Sequence, residues 1–287
     1  MADIGIIGWG VVGQATGEGF KKAHSVLWHD PHKEGGVELP KLIEKSEFIF
    51  ICVPTPMFSD YSGIDLSIVE EVVEKTVGEI RKIGEVGEGK VTIVKSTVVP
   101  GTAASLQKKY PDVVFASNPE FLTEAHPFED FLKPDRTIIG AELSVAARIK
   151  ALYEAVLPPE SIYFLTDTTS AEMAKYMANT LLAAKIMLGN EYYRLSQALG
   201  IDYDHVRQMV QADPRIGGHL NTPGPDGDFG FGGKCFPKDI VALLSLARNL
   251  KVDTPILEDT WKENLKVRKN RDWESINGAV SKKREVR

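Results

Sequence analysis

The sequence predicts an α/β fold in which a doubly wound parallel sheet is followed by a helical domain, opened by a long central helix. Three observations support this prediction. Short apolar strands alternate with helical stretches over the first 165 residues, a glycine-rich turn follows the first strand, and one apolar-periodic stretch runs from Thr169 to Leu199. Strands that alternate with helices in this way form a parallel sheet with helices on both faces.

Composition narrows the classes of function. The 287 residues suggest about two domains. With 43% hydrophobic and 26% charged residues the composition is that of a globular protein, and the net charge of −6 argues against nucleic acid as the main partner. No apolar run is long enough to span a membrane. The stretch MADIGIIGWG opens directly as a strand, without a charged n-region or cleavage site, so we expect that the protein is not secreted. We expect a cytoplasmic protein that binds neither nucleic acid nor membrane and needs no metal.

The turn GWGVVG, residues 8–13, joins the first strand, Ile4 to Ile7, to a helical stretch. In this context Gly8 permits a tight bend, Gly10 lets backbone N–H groups approach a pyrophosphate, and Gly13 allows close helix packing. The helix N-terminus adds the positive end of its dipole. The turn therefore predicts a Rossmann-type NAD site; the alternative is a glycine-rich turn without a ligand. The predicted contacts are Gly8, Trp9, Gly10, Val11, Val12 and Gly13.

An acidic residue follows the second strand, Val26 to Trp28. Asp30 would accept hydrogen bonds from the adenosine ribose hydroxyls and would repel a 2′-phosphate. The sequence therefore favours NAD over NADP, although Lys33 lies close by and weakens that preference.

The alternation of strands and helices continues to about residue 165. The predicted strands are Phe48 to Val53, Val91 to Lys95, Val113 to Ala116, Ile138 to Gly140 and Ile162 to Leu165. The predicted helices are Asp65 to Lys82, a short one near Ala103 to Lys109, and one that ends at Leu157. Ligands of such sheets bind beyond the C-terminal ends of the strands. Candidate segments are therefore CVPTP (52–56), VKSTVVPG (94–101) and SNPEFLTEAHP (117–127).

Each of these segments also has a purely structural interpretation. The prolines of CVPTP could simply fix a turn. Ser96 and Thr97 could cap the next helix. Glu120 and Glu124, four residues apart, could be a solvated pair on one helix face.

The helical part begins at Thr169-Ser170-Ala171-Glu172, which has the capping-box pattern, and its periodicity continues to Leu199 before Gly200. Lys175 and Asn179 lie four residues apart on one face, where polar groups inside a mostly apolar helix need a reason. The apolar stripe that we expect to be buried comprises Met173, Tyr176, Met177, Leu181 and Ala184.

Two shorter helices, Tyr203 to Ala212 and Pro237 to Leu250, are predicted next, and a last helix runs from about Thr254 to Arg268. The basic residues from Arg268 onward predict a solvated tail. We expect an NAD-binding domain over residues 1–168, a helical central domain over 169–270 and a polar basic tail over 271–287.

The segment FGFGGKCFPKD, residues 229–239, holds one of the two cysteines of the chain. A lone cysteine is commonly a small buried hydrophobe, as Cys52 in the apolar run FIFICV is expected to be. Around Cys235, glycines permit close approach of the backbone to a ligand, and Lys234, Lys238 and a helix N-terminus would favour the thiolate. Asp239 follows on the same side of that helix. The segment therefore predicts a reactive thiol.

The ordered motifs GWGVVG, VPTP, KSTVVPGT, NPEFLTE, AEMAKYMAN, DPRIGG and GFGGKCFPKD resemble those of the UDP-glucose/GDP-mannose dehydrogenase family, over residues 1 to about 268. The resemblance implies an NAD-dependent four-electron oxidation of a nucleotide sugar through a thioester on Cys235. The expected reaction converts UDP-glucose to UDP-glucuronate. The resemblance also implies a homodimer formed through the long helix.

The resemblance implies a role for each matching residue. The implied catalytic residues are Cys235 as nucleophile, Lys175 and Asn179 as stabilisers of oxygen charge, Glu120 as general acid/base, and Asp239 with Thr97 as the groups that position a water. Besides the glycine turn, the implied cofactor contacts are Asp30, Lys33, Val53, Pro54, Thr55, Ser96, Thr97, Glu124 and Lys238. The implied substrate contacts are Glu120, Phe121, Leu122, Glu124, Lys175, Asn179, Arg215, Phe229, Gly230, Phe231, Gly232 and Gly233.

One departure from the family concerns a third domain, which in its members binds much of the nucleotide. We expect this chain, whose sequence ends at Arg287, to lack that domain, and the glycine- and proline-rich loop 217–230 could partly compensate. Two other functions stay open. One is a two-electron 3-hydroxyacid dehydrogenase, which shares the Lys-x-x-x-Asn pair but needs no cysteine; the other is an inactive NAD-binding subunit of a larger enzyme.

Overall fold

The computed structural model describes residues 1–87, 89–123 and 125–281. The chain divides into two compact units. Unit 1 comprises Met1–Thr55 and Leu66–Lys175, and unit 2 comprises Pro56–Asp65 and Tyr176–Arg287.

The strands of the described residues are β1 (Asp3–Ile7), β2 (Ser25–His29), β3 (Phe48–Ile51), β4 (Met57–Phe58), β5 (Val91–Val94), β6 (Val114–Ser117), β7 (Thr137–Gly140), β8 (Tyr163–Thr166) and β9 (Val280–Ser281). The α-helices are α1 (Val11–Phe20), α2 (Leu39–Lys45), α3 (Ser67–Lys82), α4 (Thr102–Lys109), α5 (Pro127–Leu132), α6 (Leu143–Glu154), α7 (Thr168–Leu199), α8 (Tyr203–Gln211), α9 (Cys235–Leu250) and α10 (Pro255–Val267). Short 3-10 helices span Gly84–Gly87 and Asp272–Glu274.

Unit 1 is built on a seven-stranded sheet with the order β2-β1-β3-β5-β6-β7-β8. Its strands pair in parallel except at one position, where β7 runs antiparallel to β6 and meets it through Ser117 and Gly140. The predicted α/β class is confirmed, while the expectation of a parallel sheet is wrong for the β6–β7 pair. Hydrophobic runs reveal that a strand is buried but not the direction in which it runs.

Both faces of this sheet are covered, because side chains alternate along each strand. Phe48 and Phe50 of β3 lie in the cluster that also contains Phe20 of α1. Ile49 and Ile51 lie in the cluster on the opposite face, with Val73 of α3. This alternation within an unbroken apolar strand explains why FIFI reads as a buried strand of a doubly wound sheet.

Helices α2 and α5 were not predicted from the sequence. Each is short, seven and six residues respectively, and each has a proline in its first turn. A proline is tolerated there, since the first N–H groups of a helix have no intrahelical partner. Helices of this length leave too short a pattern for apolar periodicity to show.

The predicted long helix is present as α7, with 32 residues, but the predicted capping box is wrong. The helix begins one residue earlier, and the carboxylate of Asp167 accepts hydrogen bonds from Ser170 N–H at 2.9 Å and Ser170 Oγ at 2.6 Å. Because Asp167 accepts these hydrogen bonds, Glu172 does not cap its own helix. Its carboxylate accepts hydrogen bonds from Gly101 N–H at 2.6 Å and Ala103 N–H at 3.0 Å, at the start of α4.

The stripe of α7 that was predicted to be buried is largely exposed. Tyr176 is fully buried, whereas Met177 and Leu181 are 55% and 59% exposed. Farther along α7 the same exposed apolar face continues through Leu188, Tyr192, Leu195 and Leu199. An amphipathic pattern identifies an apolar face without showing what covers it.

Unit 2 contains the remainder of α7 together with α8, α9 and α10. Its chain closes on itself through the parallel pair of β4 and β9, in which Met57 lies opposite Val280. The prediction that the basic residues from Arg268 onward are solvated is wrong at Arg268, which is 5% exposed, and Trp273 is fully buried. Lys282, Lys283, Arg284 and Arg287 lie outside the described residues.

Among the described residues, no helix is both long enough and apolar enough to cross a membrane.

Candidate functional site

The glycine-rich turn of unit 1 has one open position. A Cβ added at Gly13 would lie 1.9 Å from the Gly8 carbonyl oxygen, and one added at Gly8, whose φ is +92°, would lie 2.5 Å from Cys52 O. At Gly10, an added Cβ would meet no atom within 4 Å. The first and third glycines are thus required by the fold itself, whereas Gly10 leaves room above the N-terminus of α1. A pyrophosphate at this turn stays a prediction.

The acid at the end of β2 is tied to the same turn. Asp30 Oδ2 accepts a hydrogen bond from Trp9 N–H at 2.8 Å, and Lys33 Nζ donates to Trp9 O at 2.7 Å. The Trp9 ring stacks on Trp28 with its centroid 4.9 Å away. A carboxylate accepts up to about four hydrogen bonds, so Asp30 retains acceptor capacity for a ribose. Val11 is exposed and Val12 is half-buried at the start of α1.

The hydroxyl of Ser96, which follows β5, contacts the backbone of Val53, which follows β3. Ser96 Oγ accepts a hydrogen bond from Val53 N–H at 2.9 Å and lies 2.8 Å from Val53 O. The suggestion that Ser96 and Thr97 cap the next helix is wrong, because α4 begins after Gly101 and receives the carboxylate of Glu172. Thr97 is half-buried, Pro54 is exposed and Thr55 is buried.

Glu120 forms a buried ion pair after β6. Its Oε1 lies 3.1 Å from Lys175 Nζ, and the two side chains are 9% and 4% exposed. Its Oε2 accepts a hydrogen bond from Leu122 N–H at 2.6 Å. Residues 118–123 are not helical, so the suggestion that Glu120 belongs to a solvated helical pair is wrong. Glu124 lies outside the described residues.

Two cations lie near the Phe121 ring. The Arg136 guanidinium carbon is 4.1 Å from its ring centroid and Lys175 Nζ is 5.4 Å away. Cations over an aromatic face are attracted by the ring quadrupole. The ring therefore helps to hold the ammonium that pairs with Glu120. Arg136, which the sequence analysis missed, lines a cavity of about 140 Å³ in unit 1 together with Glu120 and Leu122.

Lys95, at the end of β5, was also missed. Its ammonium donates hydrogen bonds to Asn118 Oδ1 at 2.9 Å and Tyr153 Oη at 3.2 Å, in a fully buried setting. Burial lowers the pKa of Lys95 to about 8 and raises the pKa of the Cys52 thiol to about 12. Cys52 is therefore a protonated core residue, as predicted. The lysine in the motif VKST was the available signal for Lys95.

In unit 2, the predicted thiol heads a helix. Cys235 is the first residue of α9 and is half-buried, so the helix starts slightly earlier than predicted and Asp239 follows one turn later. Asn179 Nδ2 donates to Asp239 Oδ2 at 2.6 Å, and Lys238 Nζ forms an ion pair with the same carboxylate. The structure thus brings Asn179, Lys238 and Asp239 together at the start of α9.

The glycines before Cys235 meet side chains of their own unit. An added Cβ would lie 2.2 Å from Asn264 Oδ1 at Gly230, whose φ is +70°, and 2.2 Å from Arg268 Nη2 at Gly232. The sequence analysis explained these glycines by the approach of a ligand. Packing inside the unit already requires both of them.

The remaining predicted substrate contact, Arg215, is exposed, and its guanidinium pairs with Asp213 at 2.5 Å. Phe229 is half-buried and Phe231 is buried; their rings lie near those of Tyr193 and Trp261, respectively. Each unit therefore carries its own polar cluster. Unit 1 holds an open glycine turn and a buried carboxylate–ammonium pair, and unit 2 holds a thiol at a helix N-terminus with a partnered carboxylate one turn on.

Comparison with known proteins identifies the class. The NAD binding domain model of the UDP-glucose/GDP-mannose dehydrogenase family matches residues 34–157, and the central domain model of the same family matches residues 169–266. The first match lies within unit 1 apart from Pro56–Asp65, and the second covers most of α7 together with α8, α9 and most of α10. The chain belongs to the UDP-glucose/GDP-mannose dehydrogenase family.

Individual relatives agree with this assignment. The chain is similar to the UDP-glucose 6-dehydrogenase of Rickettsia prowazekii, with 37% identity over 221 residues that cover 75% of this chain and 48% of the relative. The chain thus spans about half the length of the curated relatives that it matches. It also resembles the structure of a UDP-glucose dehydrogenase from the archaeon Pyrobaculum islandicum, with a TM-score of 0.78 and 29% identity over 93% of this chain and 68% of that one.

A more distant likeness concerns the fold alone. The 3-hydroxyisobutyrate dehydrogenase of Mycobacterium tuberculosis aligns with a TM-score of 0.71 and 16% identity, over 93% of both chains. The succession of a doubly wound sheet and a helical region opened by a long helix is therefore shared beyond the family.

Proposed function

We propose that this chain is an NAD-dependent nucleotide-sugar dehydrogenase that oxidises the C6 alcohol of UDP-glucose to a carboxylate through a thioester on Cys235. The observation that carries the proposal is the position of Cys235 at the N-terminus of α9, one turn before the Asn179–Asp239–Lys238 cluster. A two-electron alcohol dehydrogenase needs no thiol there. The alternative two-electron function receives no such support.

The residues of the glycine turn fit an NAD molecule. Gly10 leaves open space above the N-terminus of α1, where N–H groups and the helix dipole favour a pyrophosphate. Asp30 lies beside that turn with acceptor capacity to spare. When bound, NAD supplies hydride acceptance in each of two successive oxidations, first of the alcohol and then of the cysteine adduct.

Cys235 retains the substrate between the two oxidations. Its sulfur forms a C–S bond with the aldehyde carbon, and the aldehyde oxygen takes a proton to give a thiohemiacetal. Loss of a hydride from that carbon, with the hydroxyl proton, leaves a thioester. Water then adds to the thioester carbon, the C–S bond breaks, and the acid leaves with the thiolate restored. The start of α9 favours that thiolate through its helix dipole.

The polar residues have separate roles in the proposed reaction. Glu120 acts mainly in thioester hydrolysis, where it accepts the proton from the attacking water, and its ion pair with Lys175 keeps it oriented. Lys175 and Asn179 donate hydrogen bonds to the substrate oxygen as charge develops on it. Asn179 has a second amide N–H besides the one donated to Asp239.

Replacement of the nucleophile tests the proposal. Cys235→Ala should abolish UDP-glucuronate formation while NAD binding, measured by calorimetry, stays unchanged. Cys52→Ala is the matched control, because Cys52 is buried and protonated at neutral pH. Acid formation by Cys235→Ala at the wild-type rate would exclude the thioester route.

We further propose a homodimer through α7. Its exposed apolar face includes Leu181, Leu188 and Leu195, each at least half exposed in the single chain. A continuous exposed apolar face often marks an interaction surface. Leu188→Glu should convert a dimer to a monomer in sedimentation equilibrium. Leu250→Glu is the control, since Leu250 is 63% exposed at the end of α9. A wild-type monomer would contradict the proposal.

A further inference from the structure

The backbone of the loop before Cys235 is held by side chains from other parts of unit 2. Gly230 N–H donates to Asn190 Oδ1 at 2.8 Å and Phe231 N–H donates to Asn264 Oδ1 at 2.8 Å. Gly233 N–H donates to the Asp272 carboxylate at 3.1 Å and 3.2 Å. These hydrogen bonds leave the loop little freedom to move.

Arg268 also holds the loop before Cys235 through its guanidinium group. Its Nη2 lies 2.5 Å from Asp226 Oδ2 and 3.4 Å from Asp272 Oδ1, and its Nη1 donates to Phe229 O at 3.4 Å. The side chain is only 2% exposed. A buried guanidinium needs several acceptors, since its desolvation is costly. The missing side chain of Gly232 makes room for it.

The segment after α10 is fixed at several further points. Asp228 Oδ2 accepts hydrogen bonds from Lys269 N–H at 2.9 Å and Asn270 N–H at 2.7 Å. Trp273 is fully buried. Lys234, directly before Cys235, donates through Nζ to Asn277 O at 2.7 Å. This segment lies beyond the central domain match, which ends at residue 266.

We propose that Arg268 and Asp272 are positioning residues for Cys235. Arg268 donates to Phe229 O and fills the space beside Gly232, and Asp272 accepts from Gly233 N–H, so the two residues fix where α9 begins and where its first side chain points. This inference rests on the proposed function for its catalytic consequence, while its geometric content concerns only unit 2. Both residues act through the backbone of the loop.

The test compares variants that separate hydrogen bonding from charge. Asp272→Ala removes the acceptor of Gly233 N–H together with the negative charge. Asp272→Asn removes the charge and one of the two acceptor oxygens, while its amide oxygen can still accept the hydrogen bond from Gly233 N–H. Gly232→Ala disturbs the loop from the other side without changing any charge. Asp253→Ala, at an exposed position before α10, is the control.

Two readouts are measured on each folded variant. The first is the alkylation rate of Cys235 by iodoacetamide, followed by peptide mass spectrometry without substrate or NAD; the second is kcat and KM for NADH formation with UDP-glucose. We expect Asp272→Ala and Gly232→Ala to change the alkylation rate at least about threefold and to lower kcat at least about tenfold with little change in KM. Asp272→Asn should restore both quantities to within about twofold of the wild type.

Two results would overturn the inference. One is wild-type alkylation in folded Gly232→Ala and Asp272→Ala proteins; the other is an Asp272→Asn variant as impaired as Asp272→Ala, which would assign the effect to charge. Arg268→Lys is a milder second variant if the alanine variants do not fold. Arg268→Lys keeps the charge but loses the forked guanidinium donors. It should therefore change the alkylation rate of Cys235 in the same direction as Asp272→Ala and Gly232→Ala. Because alkylation needs no substrate, it remains informative if the proposed oxidation fails.

Discussion

The glycine turn offers a direct separation of ligand binding from folding. In Gly10→Ala, the added methyl group meets no atom of the protein within 4 Å. The expected cost to the free energy of unfolding is therefore below about 1 kcal/mol, since Gly10 is the N-cap of α1, where alanine is less favourable than glycine. In Gly13→Ala, the new Cβ would lie 1.9 Å from Gly8 O. That atom belongs to the backbone and cannot rotate away, so we expect a cost of about 3 kcal/mol or more.

Gly10→Ala, which should keep its stability, should nevertheless lose NAD affinity. The space at Gly10 is where the pyrophosphate is proposed to approach the backbone, so a methyl group there should weaken NAD binding at least about tenfold, or about 1.4 kcal/mol. Chemical denaturation gives the stability of each variant, and isothermal titration with NAD gives the dissociation constant of Gly10→Ala. Wild-type NAD affinity in Gly10→Ala, with the fold intact, would refute the assignment of this turn to the cofactor.

Three further predictions concern carboxylates. Burial raises the pKa of Glu172 to about 7 from 4.5, so the folded state holds an extra proton between those values and the free energy of unfolding falls as pH rises through them. The free energy of unfolding of the wild type, minus that of Glu172→Gln, should therefore fall by up to about 3 kcal/mol from pH 4.5 to pH 7. Calorimetric scans in which this difference does not change with pH would disprove the prediction. Asp30→Ala should weaken NAD binding and narrow its advantage over NADP, and unchanged titrations with both cofactors would count against the ribose role. Glu120→Gln should accumulate a covalent adduct on Cys235, seen as added intact mass after UDP-glucose and NAD are supplied; its absence would reassign the hydrolytic base.

Much of the fold could be predicted because its signals are local. The buried strand FIFI, the turn GWGVVG and the long helix each appear as a pattern within a single stretch of sequence. The placement of β7 was not predictable in the same way, since an apolar run carries no direction. The capping box failed because Asp167, just upstream, occupies the N-terminus of α7 and leaves Glu172 to α4.

The shared helix of Cys235 and Asp239 could be predicted, whereas the side chains that hold the loop before Cys235 could not. Cys235 and Asp239 lie on one helix, as their spacing indicated. The burial of Arg268 depends on Asp226, which is 42 residues away in sequence, and no local pattern reports such a partner. The motif GFGG therefore suggested a ligand-facing loop, whereas the structure shows that part of its glycine content accommodates Asn264 and Arg268.

The central claim is a four-electron oxidation that passes through Cys235. Its most direct test is the yield of NADH per molecule of limiting UDP-glucose, with purified protein in excess and NAD saturating. The proposed reaction predicts two NADH per sugar, because the thioester route consumes two hydride acceptors before hydrolysis. A yield of one NADH per sugar, with an aldehyde as product, would contradict it and would support a two-electron dehydrogenase.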